Sequence, residues 1–173
     1  MDVIADKCGE VGVIDKQGKE ADTDTVALAG QIGADATHRL VARIYYADTD
    51  FSGAVYHARY LEFLERGRSD FLRCVGVHHT ELEAGSEGEV LYWVVRRMEI
   101  DFQQPGRVDD IITVETCVAE IGGARIVMDQ HIRRGEDVLI EARVTAALIN
   151  AQGRPRRFPK QWRALFADPE AKS

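Results

Sequence analysis

Asp48, Asp50, Gly53 and His57 stand within one short string, Tyr45-Tyr46-Ala47-Asp48-Thr49-Asp50-Phe51-Ser52-Gly53-Ala54-Val55-Tyr56-His57-Ala58-Arg59-Tyr60. A β-like stretch ends in two carboxylates, a glycine follows, and a histidine opens a segment with helical periodicity. Acid, backbone amides and imidazole are thereby brought to one point, which is the layout of a hydrolytic site. Hydrolysis of an activated acyl group needs a base or nucleophile, donors for the developing oxyanion, and a way to expel the leaving group. Free N–H groups at the helix start near Val55, Tyr56 and His57 offer the donors, helped by the helix dipole. Gly53 lets the backbone approach a substrate with no Cβ in the way. Taken by themselves, Asp48-Thr49-Asp50 also suit a turn with capping side chains, and His57 also suits a helix start without chemistry.

The same string closely resembles the signature of the hotdog-fold acyl-CoA thioesterases, in particular the 4-hydroxybenzoyl-CoA thioesterase family and its Tol-Pal-associated branch. There Tyr-Tyr-x-Asp-Thr-Asp-x-x-Gly-x-Val-Tyr-His-Ala is typical, and the match is long and without gaps. The resemblance begins at about Arg39 and runs nearly to the C-terminus. It implies an α+β hotdog fold and hydrolysis of an acyl-CoA to a free acid and coenzyme A. It assigns the base or nucleophile to Asp50 rather than Asp48, oxyanion polarisation to the amide of residue 57, and a supporting part to the His57 imidazole. It implies no metal and no cofactor beyond the coenzyme A carried by the substrate. It further implies a homodimer or homotetramer whose sheets join and whose sites lie between subunits, with acyl carrier protein as a further candidate partner. A non-catalytic scaffold that binds acyl chains or acyl carrier protein is the alternative. The intact Asp50 and Gly53 favour the enzyme, because a pure binder has no use for a carboxylate against an acyl pocket.

The elements that must position these residues are legible from periodicity. Arg39 to Tyr46 alternates as a short strand, and His57 to Val75 places Tyr60, Leu61, Leu64, Phe71, Leu72 and Val75 on one helical stripe, closed by Gly76. Gly67 inside that helix costs about 1 kcal/mol relative to alanine, so it signals close packing against a neighbour. After a polar loop, Glu81 to Glu89, four strand-like runs follow: Val90 to Phe102, Asp110 to Val118, Arg125 to Arg133 and Val138 to Asn150. Turns at Pro105-Gly106, Gly122-Gly123 and Gly135-Glu136 separate them. The order β-α-β-β-β-β predicts one antiparallel sheet curled around one long helix.

Two further features concern charge. Arg96 reads as sharing a face with Val94 and Met98, where an unpaired charge is costly, so it must reach solvent, a carboxylate such as Glu62 or Glu65 in a salt bridge, or the substrate at the edge of the sheet. Arg154, Arg156, Arg157, Lys160 and Arg163 form a basic run that suits coenzyme A phosphates or a solvated tail equally well. His78 and His79 read as solvated loop residues.

The chain of 173 residues is long enough for one domain with a substantial core. Its net charge of −7 gives no support to nucleic-acid binding. Residues Met1 to Ala36 carry eight acids and three bases and show no sustained period, so they read as a mobile extension ahead of a domain starting near Thr37. Cys8, Cys74 and Cys117 lack histidines at metal-ligand spacing and read as reduced thiols. With no secretory signal or apolar span in view, the expectation is a cytoplasmic protein.

Overall fold

The computed structural model describes residues 30–85 and 88–167. The elements run β1 (Gln31–Ile32), β2 (His38–Arg43), a 3-10 turn (Tyr46–Asp48), α1 (His57–Cys74), α2 (His79–Glu83), β3 (Leu91–Phe102), β4 (Ile111–Ile121), β5 (Arg125–Arg134), β6 (Asp137–Asn150) and α3 (Lys160–Ala167). All strands join one six-stranded sheet in the order β1-β2-β4-β5-β6-β3, and every neighbouring pair is antiparallel. The sheet packs its apolar face on α1, which is the hotdog arrangement.

Alternation explains that face. Ile112, Val114 and Thr116 on β4, Ile126, Met128, Gln130 and Ile132 on β5, and Ile140, Ala142, Val144, Ala146 and Leu148 on β6 are buried at every second position. On α1 the matching buried residues are Tyr60, Phe63, Leu64, Gly67, Asp70, Phe71 and Leu72. Leu61, expected on this stripe, is exposed instead, and Phe63 takes its place. Residue 61 lies one step, about 100°, around the helix from Tyr60, whereas residue 63 lies on the same side as Tyr60 and Gly67.

Gly67 sits at the tightest point of the helix–sheet contact. A Cβ there would come within 2.6 Å of Val114 Cγ1 and 3.1 Å of Thr116 Oγ1. The gap lets Gln130 reach under the helix: its Nε2 donates to the Leu64 carbonyl (2.9 Å) and to Thr116 Oγ1 (2.8 Å). Arg68 Nη1 donates to Gln130 Oε1 (2.8 Å), so the buried amide is used from both ends. The helix then stops as the sequence implies. Gly76 takes φ +78°, and the bonds Gly76 N–H to Arg73 O (2.9 Å) and Val77 N–H to Leu72 O (2.8 Å) form a Schellman ending.

Four expectations are corrected. First, β3 carries a bulge between Val95 and Arg97, which inserts one residue and reverses the pleat. Trp93 therefore packs on the core, Tyr92 faces outward, and Arg96 is exposed and makes no ion pair with Glu62 or Glu65. Those acids bond Arg59 and Ser69 instead. Second, the polar loop contains α2, whose Leu82 is buried. Third, the segment after β6 is no solvated tail. Phe158, Trp162, Leu165 and Phe166 are buried against Phe71, Trp93 and Leu148, in a nest of rings with Trp93 and Trp162 stacked at 6.1 Å. The spacing Phe158, Trp162, Phe166 is itself a helical stripe. Fourth, residues 31–32, placed in the extension, pair with β2; a two-residue strand is too short to show a period. The rest of that extension, 1–29, lies outside the described residues.

Among the described residues no helix is long and apolar enough to cross a membrane.

Gly67→Ala tests the helix–sheet contact. Helix propensity alone would favour alanine by about 1 kcal/mol, but overpacking Val114 and Thr116 costs about 1–3 kcal/mol. A net loss of stability is expected in chemical denaturation, with the midpoint lowered and the slope unchanged.

Candidate active site

Residues 44–56 fold as a loop pinned at three places between β2 and α1. Ile44 and Asp109/Asp110 exchange backbone bonds at 2.9 Å, Val55 N–H donates to Gly106 O (2.9 Å), and Tyr56 N–H donates to Asp48 O (2.9 Å). Gly106 fits beneath the helix start because it has no side chain: a Cβ would meet Ile44 Cδ1 at 2.7 Å. Its N–H donates to the buried Tyr60 hydroxyl (2.8 Å). The Pro105-Gly106 turn was legible only as a turn, yet it and Tyr60 form the floor of this loop.

The two acids take different places. Asp48 closes the 3-10 turn, its Oδ2 accepting the Tyr45 N–H (2.8 Å). Asp50 begins a tight turn in which Gly53 N–H donates to Asp50 O (3.0 Å) and Asp50 N–H to Ala54 O (2.9 Å). Gly53 adopts φ +73° with nothing within 4 Å of its would-be Cβ, so the conformation, and not space within the chain, calls for glycine. The Asp50 carboxylate is exposed, and Oδ1 accepts from the Ser52 hydroxyl (2.6 Å) and Ser52 N–H (2.8 Å). Ser52, overlooked in the sequence, is thus the residue that aims Asp50. Its hydroxyl first, then its amide, hold the Asp50 carboxyl below its ordinary 3.8, with the nearby His57 charge acting in the same direction.

The helix-start amides divide. Those of Val55 and Tyr56 are already used within the fold, which removes them as donors. Those of His57 and Ala58 have no intrahelical acceptor and no other backbone acceptor among the described residues. The His57 ring is exposed and packs against the Tyr56 ring, centroids 4.4 Å apart. The loop that leads into α1 therefore carries an ionised carboxylate, Asp50, and the helix that follows starts with open N–H groups at His57 and Ala58.

Arg96 is not brought there. Phe102, whose ring is 6.0 Å from that of Tyr60, lies near the loop, and Arg96 is six residues back along β3, about 20 Å at strand rise. It lines a separate groove of about 520 Å³ with Val94, Arg125, Ile149 and Pro155. In the basic run, Arg156 pairs with Glu89 (2.6 Å) and Arg154 and Arg157 are exposed. The surface beside Asp50 is unusually apolar for a surface: Phe51 is 109 % and Tyr46 84 % exposed, and Tyr45 and Tyr56 are exposed beside them.

Comparison with known proteins places these features among relatives. Residues 52–146 match the family model described as "Thioesterase superfamily", 4HBT. The chain is 39% identical over 125 residues to the "Acyl-CoA thioesterase YbgC" of Haemophilus influenzae, covering 72% of this chain and 90% of that one. It is 35% identical over 130 residues to the "Acyl-CoA thioester hydrolase YbgC" of Escherichia coli O157:H7, covering 74% and 94%. Among solved structures, a "Probable Thioesterase from Bartonella henselae" is 55% identical with a TM-score of 0.70, covering 72% of this chain and all of that one. The 1,4-dihydroxy-2-naphthoyl-CoA thioesterase Slr0204 from Synechocystis, 21% identical with a TM-score of 0.69, shares the fold.

The Ser52 contact is testable by itself. Ser52→Ala removes the strongest stabiliser of the charged form, so the Asp50 carboxyl is expected to titrate higher, read by carboxyl-carbon NMR. Because the folded value is depressed, the group favours the folded state above the ordinary aspartate range, and that preference disappears as pH falls through the folded value. Ser52→Ala should shrink the pH dependence in that acid window.

Proposed function

The chain belongs to the thioesterase superfamily, and from that premise we propose that it hydrolyses an acyl-CoA thioester to a free carboxylate and coenzyme A. What supports this reading is that the Asp50 carboxylate, held in its charged form by Ser52, stands in the loop leading into α1, whose first N–H groups, at His57 and Ala58, have no backbone acceptor among the described residues. The thioester oxygen rests at the helix N-terminus, where the amide and the helix dipole favour the charge that grows on it. Asp50 either activates a water or attacks the carbonyl directly. Collapse of the tetrahedral species expels the coenzyme A thiolate, a good leaving group that needs little help from an acid. The His57 imidazole orients the water or the acid, Gly53 leaves the approach to the thioester open, and Val55 and Tyr56 shape the acyl side. No metal or redox group has a part in these steps.

The working unit is a homo-oligomer in the cytoplasm. The apolar rings around Asp50 and the edge of β3, unpaired among the described residues, support the oligomer, since both are surfaces that a second copy would cover. Covering them would also desolvate Asp50 and strengthen every charge interaction at the site. Arg96, too far from Asp50 within one chain, can then contact the coenzyme A of a neighbouring site.

Asp50→Asn is expected to lower kcat by at least about a hundredfold with the fold intact, because amide and acid are nearly isosteric. Asp48→Asn should lower thermal stability more than turnover, since it weakens the 3-10 turn. The assay is thiol release from acyl-CoA of graded chain length and from acyl carrier protein, which also decides the carrier. Full activity in Asp50→Asn, or equal loss in both variants, would remove Asp50 from this role. A rate profile whose acidic limb sits near the ordinary imidazole value, about 6.5, would transfer the base to His57.

A further inference from the structure

At the opposite end of α1 the fold assembles donors that no spacing rule would join. His38 comes from β2; Asp70 and Cys74 come from the last turns of α1, one helical turn apart on the same face. One ligand atom from each lies within 4.8 Å of the others. His38 is fully buried and Asp70 is 8 % exposed, while Cys74 stands at the exposed rim. Asp70 Oδ2 accepts the Gly30 N–H (2.6 Å) and contacts His38 Nε2 (2.9 Å).

The bonding leaves donor atoms over. Asp70 Oδ1 takes no hydrogen bond among the described residues. His38 Nδ1 is buried with no partner among the described residues. The Cys74 thiol has a contact to Gly30 O at 3.6 Å. No lysine or arginine among the described residues pairs with the buried carboxylate, although an unbalanced buried charge is costly. A cation beside Asp70 would balance that charge; it would bind the Nε2 side of His38, which faces Asp70, with the ring proton carried on Nδ1.

We infer that His38, Asp70 and Cys74 form a binding site for one divalent thiophilic cation, Zn²⁺ being the ion that fits their donors. Imidazole, carboxylate and thiolate together are a borderline-soft set that suits Zn²⁺ and not Mg²⁺ or Ca²⁺. Bond lengths of about 2.0 Å to nitrogen and oxygen and about 2.3 Å to sulfur put tetrahedral ligands roughly 3.3–3.7 Å apart, so a rotation of the rim cysteine and sub-ångström shifts complete the site. Water takes the fourth position from the exposed side. Coordination releases the thiol proton to solvent. Asp70 lies thirteen residues beyond His57, about 20 Å along the helix, so the ion would do no hydrolysis. It would fasten the β1–β2 hairpin and Gly30 to the end of α1.

The test uses the full-length chain after chelator treatment, titrated with Co²⁺ as a spectroscopic stand-in for Zn²⁺. One equivalent should produce the intense near-ultraviolet absorption of a cobalt–thiolate bond, which Zn²⁺ then displaces. The band should vanish in Cys74→Ser, an exposed-rim change that leaves the fold intact, and persist in Cys8→Ser and Cys117→Ser. Zn²⁺ should raise Tm in the parent and not in Cys74→Ser, whose hydrolysis of acyl-CoA stays at the parent level. Absence of the band at one equivalent, or its survival in Cys74→Ser, overturns the site and leaves His38–Asp70–Gly30 as a metal-free hydrogen-bonded latch.

Discussion

The close approach of α1 to the sheet at Gly67 is the constraint on which the rest of the molecule depends. Without a side chain at that position, the helix lies near enough for Gln130 to bond its Leu64 carbonyl and Thr116 together. A buried amide left without these partners would cost about 1–3 kcal/mol, so the contact fixes both the height and the rotation of the helix over β4 and β5. Two apolar clusters then form on either side of it. One, containing Ile44, Val55, Tyr60, Phe63 and Leu64, supports the helix start. The other, containing Phe71, Trp162 and Phe166, closes the far end beneath α3.

The proposed chemistry depends on how the chain enters that helix. Val55 and Tyr60 anchor the chain from inside while Gly106 and Asp48 take the amides of residues 55 and 56 from outside. What remains open is the amide pair at residues 57 and 58. A loop this heavily bonded in its backbone can carry an exposed carboxylate in a defined direction without burying it. The site is thus tied down in its main chain and open in its side chains.

The two ends of α1 are chemically unlike. The N-terminal end leaves backbone donors open after a loop that carries a carboxylate; the C-terminal end presents its own carboxylate and thiol to an imidazole on the sheet. Both use the helix as a spacer of about 1.5 Å per residue, and both depend on the same packing at Gly67, midway between them.

The strands β3 to β6, the helix α1 with its Gly76 stop, and the acid–glycine–histidine loop were legible in the sequence because each rests on local periodicity or local turn chemistry. The C-terminal helix also carries a local stripe, Phe158, Trp162 and Phe166, but the basic residues between them hide it, and its burial came only with the structure. Other features were decided only by tertiary structure. The bulge at Arg96 reverses the pleat through pairing with β6, which alternation along one strand cannot reveal. Ser52 as the partner of Asp50, and the loss of the Val55 and Tyr56 amides to Gly106 and Asp48, depend on hydrogen bonds set by a turn and by a distant loop. His38 meets Asp70 and Cys74 only because β2 lies against the end of α1 in the folded chain. Sequence determines which groups a chain carries and their local conformation; which of those groups meet is settled by packing.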